Sequence, residues 1–83
     1  MLSVTQMLEN ATRTYNGKTG CACGCGGDYA EIDTEAGQKR IRKIMKADLA
    51  KLQNYSWGSG EGCVELENAN GTRVTRIYYK VEA

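Results

Sequence analysis

The sequence predicts an α+β fold: an amphipathic helix packed on a small antiparallel sheet, with an extra helix at the N-terminus. Two patterns indicate this fold. Apolar residues recur at helical spacing between Thr34 and Asn54, which is typical of a helix with one apolar face. Alternating residues flank Asn70-Gly71, a dipeptide typical of tight hairpin turns, and indicate two paired C-terminal strands. The 83 residues fit a single small domain, 1–83.

The N-terminal helix is predicted from its cap. Ser3 is followed three positions later by Gln6, which is the pattern of a capping box. We expect this helix to end at the segment YNGKTG (15–20). Its apolar positions share one face: Val4, Met7, Leu8 and Ala11.

A short strand in the segment YAEI (29–32) is expected before the main helix, and Asp33 or Thr34 would cap that helix. Asp48 falls inside the apolar stripe of the main helix, either as an edge carboxylate paired with a neighbouring base or as a buried partner in a site. The stripe consists of Ile41, Ile44, Met45, Leu49 and Leu52.

The hairpin register follows from the position of its turn. It sets Val64 opposite Ile77 on the face that covers the core. On the other face it pairs Glu65 with Arg76, a favourable cross-strand charge pair. Further expected neighbours are Leu66 opposite Thr75, Tyr79 and Val81 on the core face, and Cys63 beside Tyr78 on the other. Such a sheet leaves an edge strand, through which a homodimer could pair.

The cysteines form the first candidate site. Cys21, Cys23 and Cys25 lie in the glycine-rich segment GKTGCACGCGGD (17–28), and Cys63 begins the hairpin. Four thiolates can close a tetrahedral zinc site, which would add folding energy to a small core. The chain has neither a C-x-x-C pair nor any His, however. Three alternatives therefore stay open: structural zinc, reduced thiols packed as small apolar residues, and disulfide or redox chemistry.

A basic helix face is the second candidate site. Lys39, Arg42, Lys43 and Lys46 lie opposite the apolar stripe of the main helix. Such a face is either simply solvated or a surface for an acidic partner protein or nucleic acid. The net charge of +1 and the acidic segment just before the helix argue against nucleic acid. Together with Tyr78 on the outer sheet face, these residues form the predicted partner-binding set.

Composition also argues against several classes of protein. No apolar run is long enough to span a bilayer and the N-terminus lacks signal-peptide features, so we expect a cytoplasmic protein without membrane contact. A catalytic cysteine would have only Lys18 or Arg13 nearby in sequence, so we do not expect an enzyme.

The segment YNGKTGCACGCGG (15–27) resembles small tailed-bacteriophage proteins of uncharacterised activity, which begin with a Tyr-Asn-Gly-Lys turn and a C-x-C-G-C-x-G run. The segment NGTRVTRIYYKV (70–81) is similar to their aromatic C-terminal strand. The matching residues of the first segment are Tyr15, Asn16, Gly17, Lys18, Cys21, Cys23, Gly24, Cys25 and Gly27. The resemblance implies a small accessory gene product in the cytoplasm of an infected bacterium, without implying an activity.

The sequence therefore predicts a non-enzymatic phage-type accessory protein that binds a host macromolecule, preferably a host protein. Such a protein would act as an inhibitor or counter-defence factor, and its cysteine loop would serve as a structural clasp. One alternative is nucleic-acid binding through the basic helix face. Another is sequestration of a small ligand or nucleotide in a glycine-lined pocket.

Overall fold

The computed structural model describes residues 3–18, 27–57 and 60–81. Their helices are α1 (Val4–Glu9), α2 (Glu35–Met45) and a 3-10 helix (Leu49–Lys51). Their strands are β1 (Ala11–Lys18), β2 (Asp28–Glu31), β3 (Gln53–Trp57), β4 (Glu61–Glu67) and β5 (Arg73–Lys80). The strands form one antiparallel sheet in the order β2-β1-β5-β4-β3, so the predicted α+β class is confirmed. Across these ranges no helix has the length and apolar character needed to cross a membrane.

The apolar core lies between the helices and one face of the sheet, which we call the inner face. As predicted, α2 begins after Thr34, whose hydroxyl accepts a hydrogen bond from the Gly37 N–H at 3.1 Å. Ile44 of α2 is fully buried against the sheet, which stabilises the fold by about 1.5–3 kcal/mol. The buried core residues on this face are Met7, Ile41, Ile44, Val64, Ile77 and Tyr79.

The predicted register of the C-terminal hairpin is confirmed. Val64 lies opposite Ile77 on the inner face, and Glu65 lies opposite Arg76 on the other face. The turn is wider than a two-residue one, because the Asn68 N–H donates to the Arg73 carbonyl at 2.9 Å and closes it. Within it Gly71 has a φ of 68°, a left-handed conformation that glycine adopts without strain.

The predicted N-terminal helix is too long. The capping box is confirmed, since Ser3 and Gln6 exchange side-chain to backbone hydrogen bonds of 2.9 and 3.2 Å. The helix ends at Glu9, however, and Ala11–Lys18 form β1, which includes residues 15–18 of the segment expected to end the helix. β1 lies between β2 and β5, so its backbone groups can form hydrogen bonds on both sides. That pairing outweighs the weak helical pattern of a short segment.

The main helix also ends earlier than predicted. The segment 34–54 was expected to be one helix, but α2 stops at Met45. Asp48 is exposed and has no ion pair with a described residue, so neither expected role is found. Its carboxylate accepts a hydrogen bond from the Ala50 N–H at 3.0 Å and caps the 3-10 helix. This turn redirects the chain into β3, which pairs with β4. The end of the segment expected to be helix therefore supplies the start of an additional strand.

We predict that Ile44→Ala lowers the free energy of unfolding by about 2–5 kcal/mol, because it leaves a cavity in the core. Met45→Ala is the matched control. Met45 is the next residue along α2 and is exposed, so its truncation should change stability by less than about 1 kcal/mol. Urea unfolding followed by circular dichroism measures both. Equal losses would contradict the packing of α2 described above.

Candidate functional site

The second face of the sheet, which we call the outer face, carries most of the aromatic side chains. Alternation along the strands and pairing between them arrange these residues in rows across the sheet. One row, from β2 to β3, is Glu31, Arg13, Tyr78, Cys63 and Tyr55. The next row is Tyr29, Tyr15, Arg76, Glu65 and Gln53. With Trp57, the outer face holds the single Trp and four of the five Tyr.

Arginine–aromatic contacts hold the side chains of the outer face together. The Arg13 guanidinium lies 4.5 Å from the ring centroid of Tyr78 and 5.5 Å from that of Tyr29. The Tyr29 ring lies 4.9 Å from the Tyr15 ring, and the Arg76 guanidinium lies 5.3 Å from the latter. Each cation–π contact stabilises by about 0.5–1 kcal/mol at an exposed site and by more when desolvated. The positions of these side chains are therefore set before any partner arrives.

Tyr15 is fully buried although it lies on the outer face. Its ring lies against Gly17 at the end of β1 and Gly27 just before β2, and a Cβ added at either glycine would overlap the ring. These two glycines are thus required by the close approach of the tyrosine. They flank the residues 19–26, which lie outside the described part of the chain.

Two ion pairs lie at different depths of the outer face. The Arg76 Nε donates to the Glu65 Oε2 at 2.6 Å, and these side chains are only 18% and 10% exposed. The Arg13 Nη2 lies 3.4 Å from the Glu61 Oε1, where the exposures are 43% and 41%. Burial opposes the charge of Arg76, but its interactions with Glu65 and Tyr78 outweigh burial and raise the pKa of the guanidinium. The Arg76–Glu65 pair is therefore largely buried within the fold, whereas the Arg13–Glu61 pair is open to solvent.

These residues enclose a shallow depression of about 420 Å³, which we call the outer-face depression. Tyr29 lies at one side of it, and Tyr55 and Trp57 lie at the other, with exposures of 51%, 46% and 49%. Its full lining is Arg13, Tyr29, Tyr55, Trp57, Glu61, Cys63, Glu65, Arg76 and Tyr78. The depression thus combines half-exposed aromatic side chains with two arginine–glutamate pairs.

Cys63 is a buried, free thiol among the lining residues of the depression. Burial raises the pKa of this thiol from 9.0 to about 11, and the nearby Glu65 and Glu61 add to the rise while Arg76 opposes it. The neutral thiol is therefore the stable form near pH 7. Because the thiolate is the nucleophile, this environment does not favour covalent catalysis by Cys63.

The zinc site stays a prediction. Three of its predicted ligands lie outside the described residues: Cys21, Cys23 and Cys25. Cys63 lies opposite Tyr78, five positions along β5 from the pair formed by Lys18 and Arg73, which is roughly 16 Å along the strand. A four-cysteine clasp would require residues 19–26 to cover that distance across the outer face. Among the described residues, no three His, Cys, Asp or Glu side chains lie close enough together to hold a metal ion.

The predicted basic face lies on the exposed side of α2, remote from the outer face. Its members are Lys39, Arg42, Lys43 and Lys46, all exposed and none in an ion pair with a described residue. Arg40 has a different role, since its Nη1 donates to the Thr14 hydroxyl at 3.1 Å and the Asp28 carbonyl at 3.3 Å. The sheet separates the basic face from Tyr78, so the predicted partner-binding set forms two surfaces on opposite sides of the molecule.

Sequence reasoning missed the members of the outer-face depression that β3 supplies. Tyr55 and Trp57 follow the predicted helix, which was expected to end at Asn54, and only their alternation with polar neighbours indicated a strand. Tyr78 lies on the predicted face but is only 7% exposed, because Arg13 stacks on its ring. The accessible aromatic residues are its neighbours on the flanking strands.

Comparison of the chain with known protein families, with curated proteins and with solved structures gives no significant match.

We predict that Glu65→Gln lowers the free energy of unfolding by about 1–3 kcal/mol, because it leaves the largely buried Arg76 without its ionic partner. Glu61→Gln, the matched control in the exposed pair, should cost less than about 1 kcal/mol. Denaturant titrations of both variants measure this difference. A larger loss of unfolding free energy in Glu61→Gln would contradict the deeper burial of the Arg76–Glu65 pair.

We predict that the metal-free protein loses stability as the pH rises from 9 to about 11, because the unfolded chain releases the Cys63 proton before the folded chain does. Below pH 9 the neutral thiol keeps its full stabilising contribution. Between pH 9 and 11 the loss of stability should be smaller in Cys63→Ala than in the wild type. Tyr78 and Tyr79 add a loss from about pH 10 upward, because burial raises the pKa of each phenol above its ordinary value of 10.0.

Denaturant titrations between pH 8 and 12, combined with metal analysis, measure this effect. A zinc-bound Cys63 would already be a thiolate at neutral pH, so its proton would not contribute to the profile. One zinc per chain, a loss of stability on chelation and a similar loss in Cys63→Ala at neutral pH would therefore support the four-cysteine clasp instead.

Proposed function

We propose that this protein is a non-enzymatic binding protein whose outer-face depression docks a partner protein. The observation that carries the proposal is the grouping of three half-exposed aromatic residues, Tyr29, Tyr55 and Trp57, around two arginine–glutamate pairs. Tyr, Trp and Arg are the residues that dominate the binding energy of protein interfaces. The cation–π contacts of Arg13 with Tyr29 and Tyr78 fix these three side chains in advance, which reduces the entropy that they lose on binding.

A protein is a better partner for the outer face than a nucleic acid. Arg13 and Arg76 each have a carboxylate partner within the depression, so neither offers an uncompensated positive charge to a phosphate. Glu31 and Glu67 add negative charge on the same face. Aromatic stacking platforms for single strands usually lie in a positively charged groove, which this face does not provide.

Binding is a better proposal than catalysis for the same residues. The carboxylates of Glu61 and Glu65 are engaged by arginines, and the raised pKa of Cys63 keeps its thiol protonated. A general base or a nucleophile would need a free, suitably tuned group at this position.

The resemblance to small tailed-bacteriophage proteins supplies the biological setting of the proposal. The partner would then be a host protein in the bacterial cytoplasm. A chain of 83 residues with a preformed aromatic surface would act by covering part of that protein, as an inhibitor or counter-defence factor. The cysteine loop would act as a structural clasp, with zinc as its candidate metal.

Nucleic-acid binding by the basic face of α2 is the second candidate function. It is favoured by Lys39, Arg42, Lys43 and Lys46, four exposed cations without an ionic partner among the described residues. Neutralising several phosphates would make the affinity fall steeply with salt, by about 0.9 logarithmic units per phosphate for each tenfold rise in salt. This surface and the outer face can be disabled separately.

We predict that Trp57→Ala abolishes partner capture and weakens binding to the purified partner by about thirtyfold, as expected for an interface hot spot. Immobilised protein is incubated with bacterial cytosol, retained proteins are quantified by mass spectrometry, and affinity for the retained protein is measured by calorimetry. Replacing the four cations of the basic face by Gln is the matched control and should leave capture unchanged.

The opposite pattern would refute docking through the outer face. If the basic-face variant loses binding, Trp57→Ala retains it and the retained ligand is nucleic acid with steep salt dependence, the second candidate function is correct.

A further inference from the structure

The strand β3 is an edge of the described sheet, so only one of its two sides is paired with another strand. In the described sheet it pairs only with β4, and all five of its residues are exposed. Backbone N–H and C=O groups point alternately to the two sides of a strand, so part of the β3 backbone is directed away from β4. Such a row of donors and acceptors is a template for another strand.

The composition of β3 lacks the features that normally protect an edge. Its sequence, QNYSW (53–57), contains no charged residue and no proline, whereas edge strands are usually protected by lysine, proline or a bulge. The opposite edge, β2, has Asp28 and Glu31 at its ends, and Arg40 binds the Asp28 carbonyl at 3.3 Å. β2 is thus charged and partly covered, and β3 is neither.

The position of β3 is fixed from the inner side of the sheet. The Tyr79 hydroxyl donates to the Asn54 Oδ1 at 2.6 Å, and the Asn54 Nδ2 lies 3.5 Å from the Met7 Sδ. These contacts tie the strand to both β5 and α1. Because the edge is already extended and anchored, an incoming strand would meet a preorganised surface.

We propose that two copies of this chain pair antiparallel through β3, forming a sheet that continues from one copy into the other. The strand suits a second copy because it carries no charge and so does not repel itself. One register pairs all five residues of both strands, and it sets Tyr55 opposite Tyr55 of the second copy and Gln53 opposite Trp57. Cross-strand aromatic pairs of this kind stabilise antiparallel sheets.

The pairing would join the two outer faces. Directly opposed residues lie on the same side of a sheet, so Tyr55 and Trp57 of both copies would form one aromatic band across the seam. The two outer-face depressions would then lie side by side, related by two-fold symmetry. This inference goes beyond partner docking and does not depend on it.

The dimer is expected to be weak and dependent on concentration. A standard interface uses about 20–30 residues from each side. The proposed seam uses the five residues of β3 and their nearest neighbours, so it belongs to the class of small, transient interfaces.

Sedimentation equilibrium from micromolar to millimolar concentration tests the proposal. The wild-type chain should show a monomer–dimer equilibrium, which Tyr55→Lys and Tyr55→Glu should each weaken about tenfold or more, because like charges meet at the two-fold axis. Mixing the two variants should restore dimerisation as a heterodimer. Tyr29→Lys is the matched control: it alters a similarly exposed aromatic residue of the outer face, but on β2, and should leave dimerisation unchanged.

Amide hydrogen exchange of the wild-type chain supplies a readout that requires no variant. The β3 amides directed away from β4 should become protected as the concentration rises, whereas the β2 amides should not change. A wild-type chain that stays monomeric at millimolar concentration would overturn the proposal. Dimerisation with unchanged β3 exchange would also overturn it, because the interface would then lie elsewhere.

Discussion

One-sided covering of the sheet is the constraint on which the described structure depends. Both helices pack on the inner face, where Ile44, Val64 and Ile77 meet in a dry apolar core. The outer face has no helix over it among the described residues, so its side chains must stabilise one another. Stacked arginines, tyrosines and a nearly buried ion pair provide that stability, because they combine apolar contact with satisfied charge.

The contacts that stabilise the outer face also support the docking function proposed for it. A purely apolar outer face would aggregate, and a purely charged one would offer a partner little contact energy. Here the buried members, Tyr15 and Tyr78, support the half-exposed Tyr29. An incoming protein would therefore meet large rigid side chains whose charged neighbours already have partners. Docking there leaves few uncompensated charges.

The basic face of α2 and the outer face are chemically independent surfaces. Arg40 belongs to neither of them, since it is used to hold α2 against β1 and β2. A small protein with two such surfaces can contact one partner through the sheet while the cations of the helix adjust its association rate or bind a second, acidic ligand. The exposed edge at β3 lies beside the aromatic part of the outer face, so dimerisation and docking would be coupled through Tyr55.

Features decided by local chemistry could be predicted from the sequence. The caps at Ser3 and Thr34 require only neighbouring backbone groups, and the hairpin register follows from a turn flanked by alternating residues. The pairing of Glu65 with Arg76 followed from that register without further information.

Tertiary structure alone decided β1, β3 and the outer-face depression. Short polar segments such as QNYSW (53–57) have no conformation of their own, and become strands when a neighbouring strand satisfies their backbone hydrogen bonds. The depression joins residues from all five strands, among them Arg13, Tyr29 and Trp57, which are far apart along the chain. Only the strand order brings them together, because proximity across a sheet depends on which strands pair and not on sequence spacing.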